Sequence, residues 1–106
     1  MKSSWAKWKD ADEFRQCVKT WAKRIGVEPR VVTVRSMKWK WGSCSTAGRL
    51  TFSNELLLEP REFGEYVIVE ELLHLRVPNH GKLFRSLLTA YLPEWRRITN
   101  RNTKSP

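Results

Sequence analysis

The stretch Tyr66-Val67-Ile68-Val69-Glu70-Glu71-Leu72-Leu73-His74-Leu75 sets the tightest limit on how this chain folds. It reads as a helix from Pro60, which a first turn tolerates, to Arg76, with Glu62 near the positive end of the helix dipole and Pro78 as the stop. Between Tyr66 and Leu75 it is apolar nearly all round. A surface helix is not, so this one must be covered on more than one side. A chain of 106 residues, 41% of them hydrophobic, has material for one such core and not for two. The expectation is a single domain over residues 1–106, with an ordered core over about 10–98 and a polar tail over 100–106. The longest unbroken apolar run is Tyr66-Val67-Ile68-Val69, far short of the roughly 20 residues a bilayer span needs. Met1-Lys2-Ser3-Ser4-Trp5 has no signal-peptide core, and Cys17 and Cys44 are too few for a disulfide scaffold. These features predict a cytoplasmic protein with no membrane partner.

The elements around the central helix follow from local patterns. Asp10 or Asp12 is placed to cap a helix carrying Phe14, Cys17, Val18, Trp21 and Ile25 on one face, and Gly26 offers its stop. After Pro29 the β-branched Val31-Val32-Thr33-Val34 leads to Met37, Trp39 and Trp41, which alternate with Lys38 and Lys40 as in a half-buried strand. Gly42-Ser43-Cys44-Ser45 breaks that alternation. Ala47-Gly48 reads as a turn, and Arg49 to Asn54 as a second strand with Leu50 and Phe52 inward, so the pair predicts an antiparallel ribbon. A further helix from about Lys82 carries Leu83, Phe84, Leu87, Leu88 and Tyr91 until Pro93, and Trp95 and Ile98 are available to pack beyond it. The fold class is α+β: an N-terminal helix, a small mainly antiparallel sheet, a central helix and a C-terminal helix.

Charge bears on partners. The net charge of +9 favours polyanions, an attraction that salt weakens. It is unevenly distributed: residues 19–40 hold seven basic residues and one acidic, and residues 55–71 hold six acidic and one basic. Weak nucleic-acid contact through the basic surface is one expectation, and Trp39 and Trp41 among lysines would offer a stacking platform. A Trp-packed strand with a solvated lysine edge is the plainer reading.

The chemistry concentrates at the end of the central helix. Residues four apart on a helix are rotated by only about 40°, so Glu70 and His74 project from one face and can grip one ion. That face continues Phe63, Tyr66 and Val67 into the interior, where an unpaired carboxylate is costly and a cation relieves the cost. The break at Pro78 lets His80 approach the same point. Glu71 points about 100° away and stands beside such an ion. The plainer alternative is an intrahelical Glu70–His74 ion pair on a domain without metal.

With these residues in hand, the chain resembles the small zinc metallopeptidase-like hydrolases of the YgjP type, relatives of the minigluzincins and of the SprT-like and WLM proteases. The resemblance rests on Trp41-Gly42-Ser43-Cys44-Ser45, Asn54, Pro60, Tyr66-Val67-Ile68-Val69, Glu71-Leu72, His74-Leu75 and Pro78-Asn79-His80, in order over roughly residues 20–95. It implies a zincin-like fold and one zinc ion, with His74 and His80 as the second and third metal ligands and Glu71 as the general base. Where the family carries the first His of HExxH, this chain has Glu70, and its only histidines are His74 and His80. Zinc accepts two His and one Glu as an ordinary catalytic set, so Glu70 is the expected first ligand. An anionic ligand lowers the net charge that acidifies bound water, so affinity can survive while turnover falls.

The resemblance further implies a peptide or protein substrate aligned by strand addition, with Arg49, Leu50, Thr51, Phe52, Ser53 and Asn54 as the expected rail. Cys44 is expected in a structural role near that segment. Arg85 and Tyr91 are available to stabilise an oxyanion, and no spacing singles out either. The rival function is a non-catalytic basic module of the same fold that binds nucleic acid or a protein partner. Oligomeric state is not legible in the sequence.

Overall fold

In a computed structural model of the chain, residues 7–99 are described. The predicted polar tail from Asn100 onward lies outside the described residues. The first helix, α1 (Ala11–Ile25), begins where an Asp10 side-chain oxygen accepts the Glu13 amide at 2.8 Å, and it ends at Gly26, whose φ of 83° suits glycine. Phe14, Val18, Trp21, Ala22 and Ile25 are buried along one face. Cys17, expected among them, is only half-buried.

Three strands follow: β1 (Val31–Arg35), β2 (Gly42–Cys44) and β3 (Arg49–Ser53). The antiparallel ribbon is present, but it pairs β2 with β3 in the register Gly42 to Phe52 and Cys44 to Leu50. Its first strand therefore lies on Gly42-Ser43-Cys44, the segment expected to break the pattern, and not on Met37 to Trp41. The reason is packing against the central helix. A Cβ on Gly42 would sit 3.1 Å from Glu71 Cγ and 3.2 Å from Val67 Cγ1, so a residue without a side chain lets the strand lie this close with no shift of its neighbours. Trp41 turns inward, 4% exposed, with its ring edge-on to Phe63, whereas Trp39 is 79% exposed. They cannot form one stacking platform.

On the other side of β3, β1 runs parallel to it, from Val31 opposite Arg49 to Arg35 opposite Ser53. The sheet order is β1-β3-β2, with β3 at the centre. Gly48, at φ 83°, closes the tight turn between β2 and β3, as Ala47-Gly48 implied. A short 3-10 helix, Asn54–Leu58, which no sequence signal marked, leads to the central helix α2 (Arg61–Leu73).

From Phe63 to Leu73 every residue of α2 except Glu65 is buried, because α1, β2, α3 (Lys82–Tyr91) and α4 (Trp95–Thr99) all pack on it. The helix is shorter than expected. His74 is its C-cap, and Leu75 and Arg76 continue in tighter turns whose amides reach the Leu72 and Leu73 carbonyls. Arg76 then donates to the Ile25 carbonyl at 3.1 Å, tying the end of α2 to the end of α1. Phe84, Leu88 and Ile98 close the core from the C-terminal side.

Candidate active site

Two adjacent carboxylates are buried at the end of α2: Glu70 is 6% exposed and Glu71 4%. Leaving charged groups there is expensive unless a cation or hydrogen bonds compensate. Among the described residues neither has a Lys or Arg within ion-pair distance. Glu70 is held by its own helix: the Tyr66 hydroxyl, one turn earlier, donates to Glu70 Oε2 at 2.8 Å. That i,i+4 spacing was visible in the sequence, where Tyr66 read only as part of an apolar stripe. His80 Nε2 stands 3.9 Å from the same oxygen.

The alternative Glu70–His74 ion pair does not form; the imidazole within 4 Å of Glu70 is that of His80. The His74 ring lies 4.6 Å from the His80 ring and 4.8 Å from Phe84, centroid to centroid. Phe84 thus backs both imidazoles. His80 is the accessible one, its side chain 61% exposed. Glu71 faces β2, under Gly42 and near Cys44.

The electrostatics follow this geometry. Burial pushes the Glu70 carboxyl up, and the Tyr66 hydrogen bond and His80 pull it partly back. Glu71, buried beside Glu70 and drawn down only by Lys40, is raised to about 8. Burial and the neighbouring His80 lower His74, so its imidazole is held neutral. Burial and the Glu71 charge raise the Cys44 thiol, which makes it a poor nucleophile. Buried acids beside imidazoles at a cleft are surroundings that point to a functional site.

The cleft has a volume of about 760 Å³ and is walled by α2 with Glu70, Glu71 and His74, by the β2–β3 hairpin, and by His80. Arg30 and Lys40 also line it. Neither belongs to a motif, and sequence reading passed over both for this site. Arg85 and Tyr91 do not line the cleft: Arg85 borders a separate depression with Thr89 and Arg96, and Tyr91 packs edge-on against Trp21.

The expected rail at Arg49–Asn54 needs correction. β3 is the central strand, so its backbone groups are already paired on both sides, and Leu50, Phe52 and Ser53 are buried. Strand addition needs a free edge. Among the described residues the edge strand at the cleft is β2.

One carboxylate and two imidazoles are an ordinary zinc donor set, and they fit a divalent ion in kind. Among the described residues, however, no three His, Cys, Asp or Glu side chains converge as a formed metal group. Glu70 and His80 make a close pair with His74 beside it.

Residues 2–102 match the family model described as YgjP-like, metallopeptidase domain. Solved structures share the fold, two metallopeptidase zymogens among them. The zymogen of abylysin from Pyrococcus abyssi superposes with a TM-score of 0.74 at 22% identity, covering 83% of this chain and 90% of that one. The zymogen of jannalysin from Methanocaldococcus jannaschii gives the same TM-score and identity, with 83% of this chain and 91% of that one covered. Both are described as metallopeptidase zymogens. No curated protein sequence matches the chain.

Proposed function

The chain belongs to the YgjP-like metallopeptidase family, and from that premise we propose that it is a zinc-dependent peptidase-like hydrolase whose turnover is lowered by Glu70 in the first ligand position. The observation that carries this reading is the buried Glu70–Glu71 pair, which has no Lys or Arg partner among the described residues and has two imidazoles beside it. Glu70, His74 and His80 would hold the ion, and the Tyr66 hydroxyl fixes the orientation of Glu70 as outer-shell partners of ligands do.

When bound, the metal supplies a Lewis acid that polarises the scissile carbonyl and acidifies water. The protein's own residues do the rest. Glu71 takes a proton from the attacking water and returns it to the leaving amine. Its affinity for protons is raised in the metal-free protein, and Lys40 draws it down, as a bound cation beside it would. Gly42 holds β2 close over Glu71, and the open edge of β2 aligns an extended peptide across the cleft.

Glu70→His tests the reading. It replaces an anionic ligand by a neutral one without touching Glu71 or His80. The expected result is tighter zinc binding together with new or raised metal-dependent cleavage of a peptide library. Adding Glu71→Gln should then abolish cleavage and spare the zinc. If Glu70→His binds no zinc, the assignment of His80 as a ligand fails, and the kinship is one of fold without the site.

A further inference from the structure

A second concavity, of about 1050 Å³, lies between α1 and the start of β1. Its walls carry Arg15, Lys19, Lys23 and Arg30, and its floor includes Val27 and Val32. Arg15 is shared with Asp12 at 3.4 Å, but Lys19, Lys23 and Arg30 make no ion pair among the described residues. The one acidic side chain on the groove is Glu28. Glu28 and Arg30 also line the cleft beside Glu70 and Glu71, so the two concavities meet there.

We propose that this groove docks an extended, acidic stretch of polypeptide, laid along the open edge of β1, whose neighbouring residues enter the cleft. The second half of that statement rests on the hydrolase reading above; the docking itself does not.

Three features select this occupant. Arg15, Lys19 and Lys23 recur every fourth residue, about 6 Å apart along the helix at 1.5 Å per residue. Alternate side chains of an extended chain recur at about 6.6–6.8 Å, so an acid at every second position meets the row nearly in step. Among the described residues β1 is an edge strand, paired only with β3, and Val31 at its start is 46% exposed, so main-chain groups are available for strand addition. The groove also has an apolar floor and, among the described residues, no aromatic side chain on its walls. A single-stranded nucleic acid would find nothing there to stack on, and a phosphate backbone would not use the valines.

The probe is a fluorescein-labelled decapeptide of alternating Glu and Val, titrated with the whole chain in EDTA at low salt and read by anisotropy. With metal removed, a failure of catalysis leaves this result untouched. The joint exposed reversals Lys19→Glu and Lys23→Glu should weaken binding at least tenfold. Arg85→Glu with Arg96→Glu makes the same change in net charge at a different depression and should weaken it less than threefold. Equal loss in both double variants would overturn a local site. A peptide N-methylated at alternate residues should bind at least fivefold more weakly, and equal binding would overturn the placement along β1. A labelled mixed-sequence DNA duplex that binds more tightly than the peptide, and is lost on the same α1 reversals, would make the groove a phosphate site and overturn the proposal. A benzoylphenylalanine at one end of the peptide maps the path. Adducts on residues 42–48 support passage into the cleft, and adducts from either end confined to α1 overturn it.

Discussion

Replacing Glu71 by Gln should stabilise the metal-free protein, and should do so more strongly as pH rises. The substitution keeps the shape of a side chain that is 4% exposed and removes its ability to ionise. Burial and the adjacent Glu70 raise this carboxyl from 4.5 to about 8. The sign follows from proton linkage. Below about pH 4.5 both the folded and the unfolded chain hold the proton, and the group costs nothing. Between pH 4.5 and about 8 the unfolded chain releases a proton that the folded chain keeps, so stability falls by up to about 1.4 kcal/mol per pH unit; above that window the loss is complete. The difference between Glu71→Gln and the parent should therefore grow from about 1 kcal/mol at pH 5 to about 4 kcal/mol at pH 8. Urea denaturation in EDTA at several pH values measures it. His74, whose imidazole is lowered, contributes with the opposite sign, since the folded chain releases its proton first. Being present in both proteins, it cancels in the difference. A difference that stays flat between pH 5 and 8 would refute the claim that Glu71 is buried without a compensating cation.

Other perturbations test the packing and the site. Gly64→Ala would place a methyl 2.6 Å from Trp8 Nε1, and overpacking of this kind costs about 1–3 kcal/mol, which a thermal melt should show as a lowered Tm. Tyr66→Phe removes the donor to Glu70 and should cost about 0.5–3 kcal/mol, more where Glu70 is ionised than in acid, where it is protonated, as read by denaturation across pH. Added zinc should raise the melting temperature of the native chain, and His74→Ala should remove most of that shift, as read by scanning fluorimetry.

What was legible in the sequence was what local physics decides. The boundaries of α1 follow from the Asp10 cap, the apolar face and Gly26, and each acts within a turn of the chain. The burial of α2 on several sides was legible because no solvated helix is apolar all round from Tyr66 to Leu75. The sheet was harder. Trp39 and Trp41 alternate with lysines as a strand would, yet the strand forms at Gly42–Cys44, where Gly42 lies against Glu71 and Val67 without crowding them. Which strand is central depends on β1 joining β3 in parallel, a long-range pairing that no alternation marks, and it leaves β2, not β3, with a free edge at the cleft. The relative distances of the two imidazoles from Glu70 were illegible for a similar reason. Helical spacing favours His74, but the helix stops there and the chain beyond Pro78 brings His80 to the carboxylate instead. Arg30 and Lys40 had no signature at all, since a cation in a loop reads as solvated until the fold places it at a cleft.

Whether Glu70, His74 and His80 together hold one metal ion is read from the zinc content of the whole chain, stripped of adventitious metal and then dialysed against buffered zinc at pH 7.5. One zinc per chain is expected for the native sequence, with a large loss for His74→Ala and for His80→Ala. Native protein that retains no zinc, or His variants that retain it fully, would contradict that assignment.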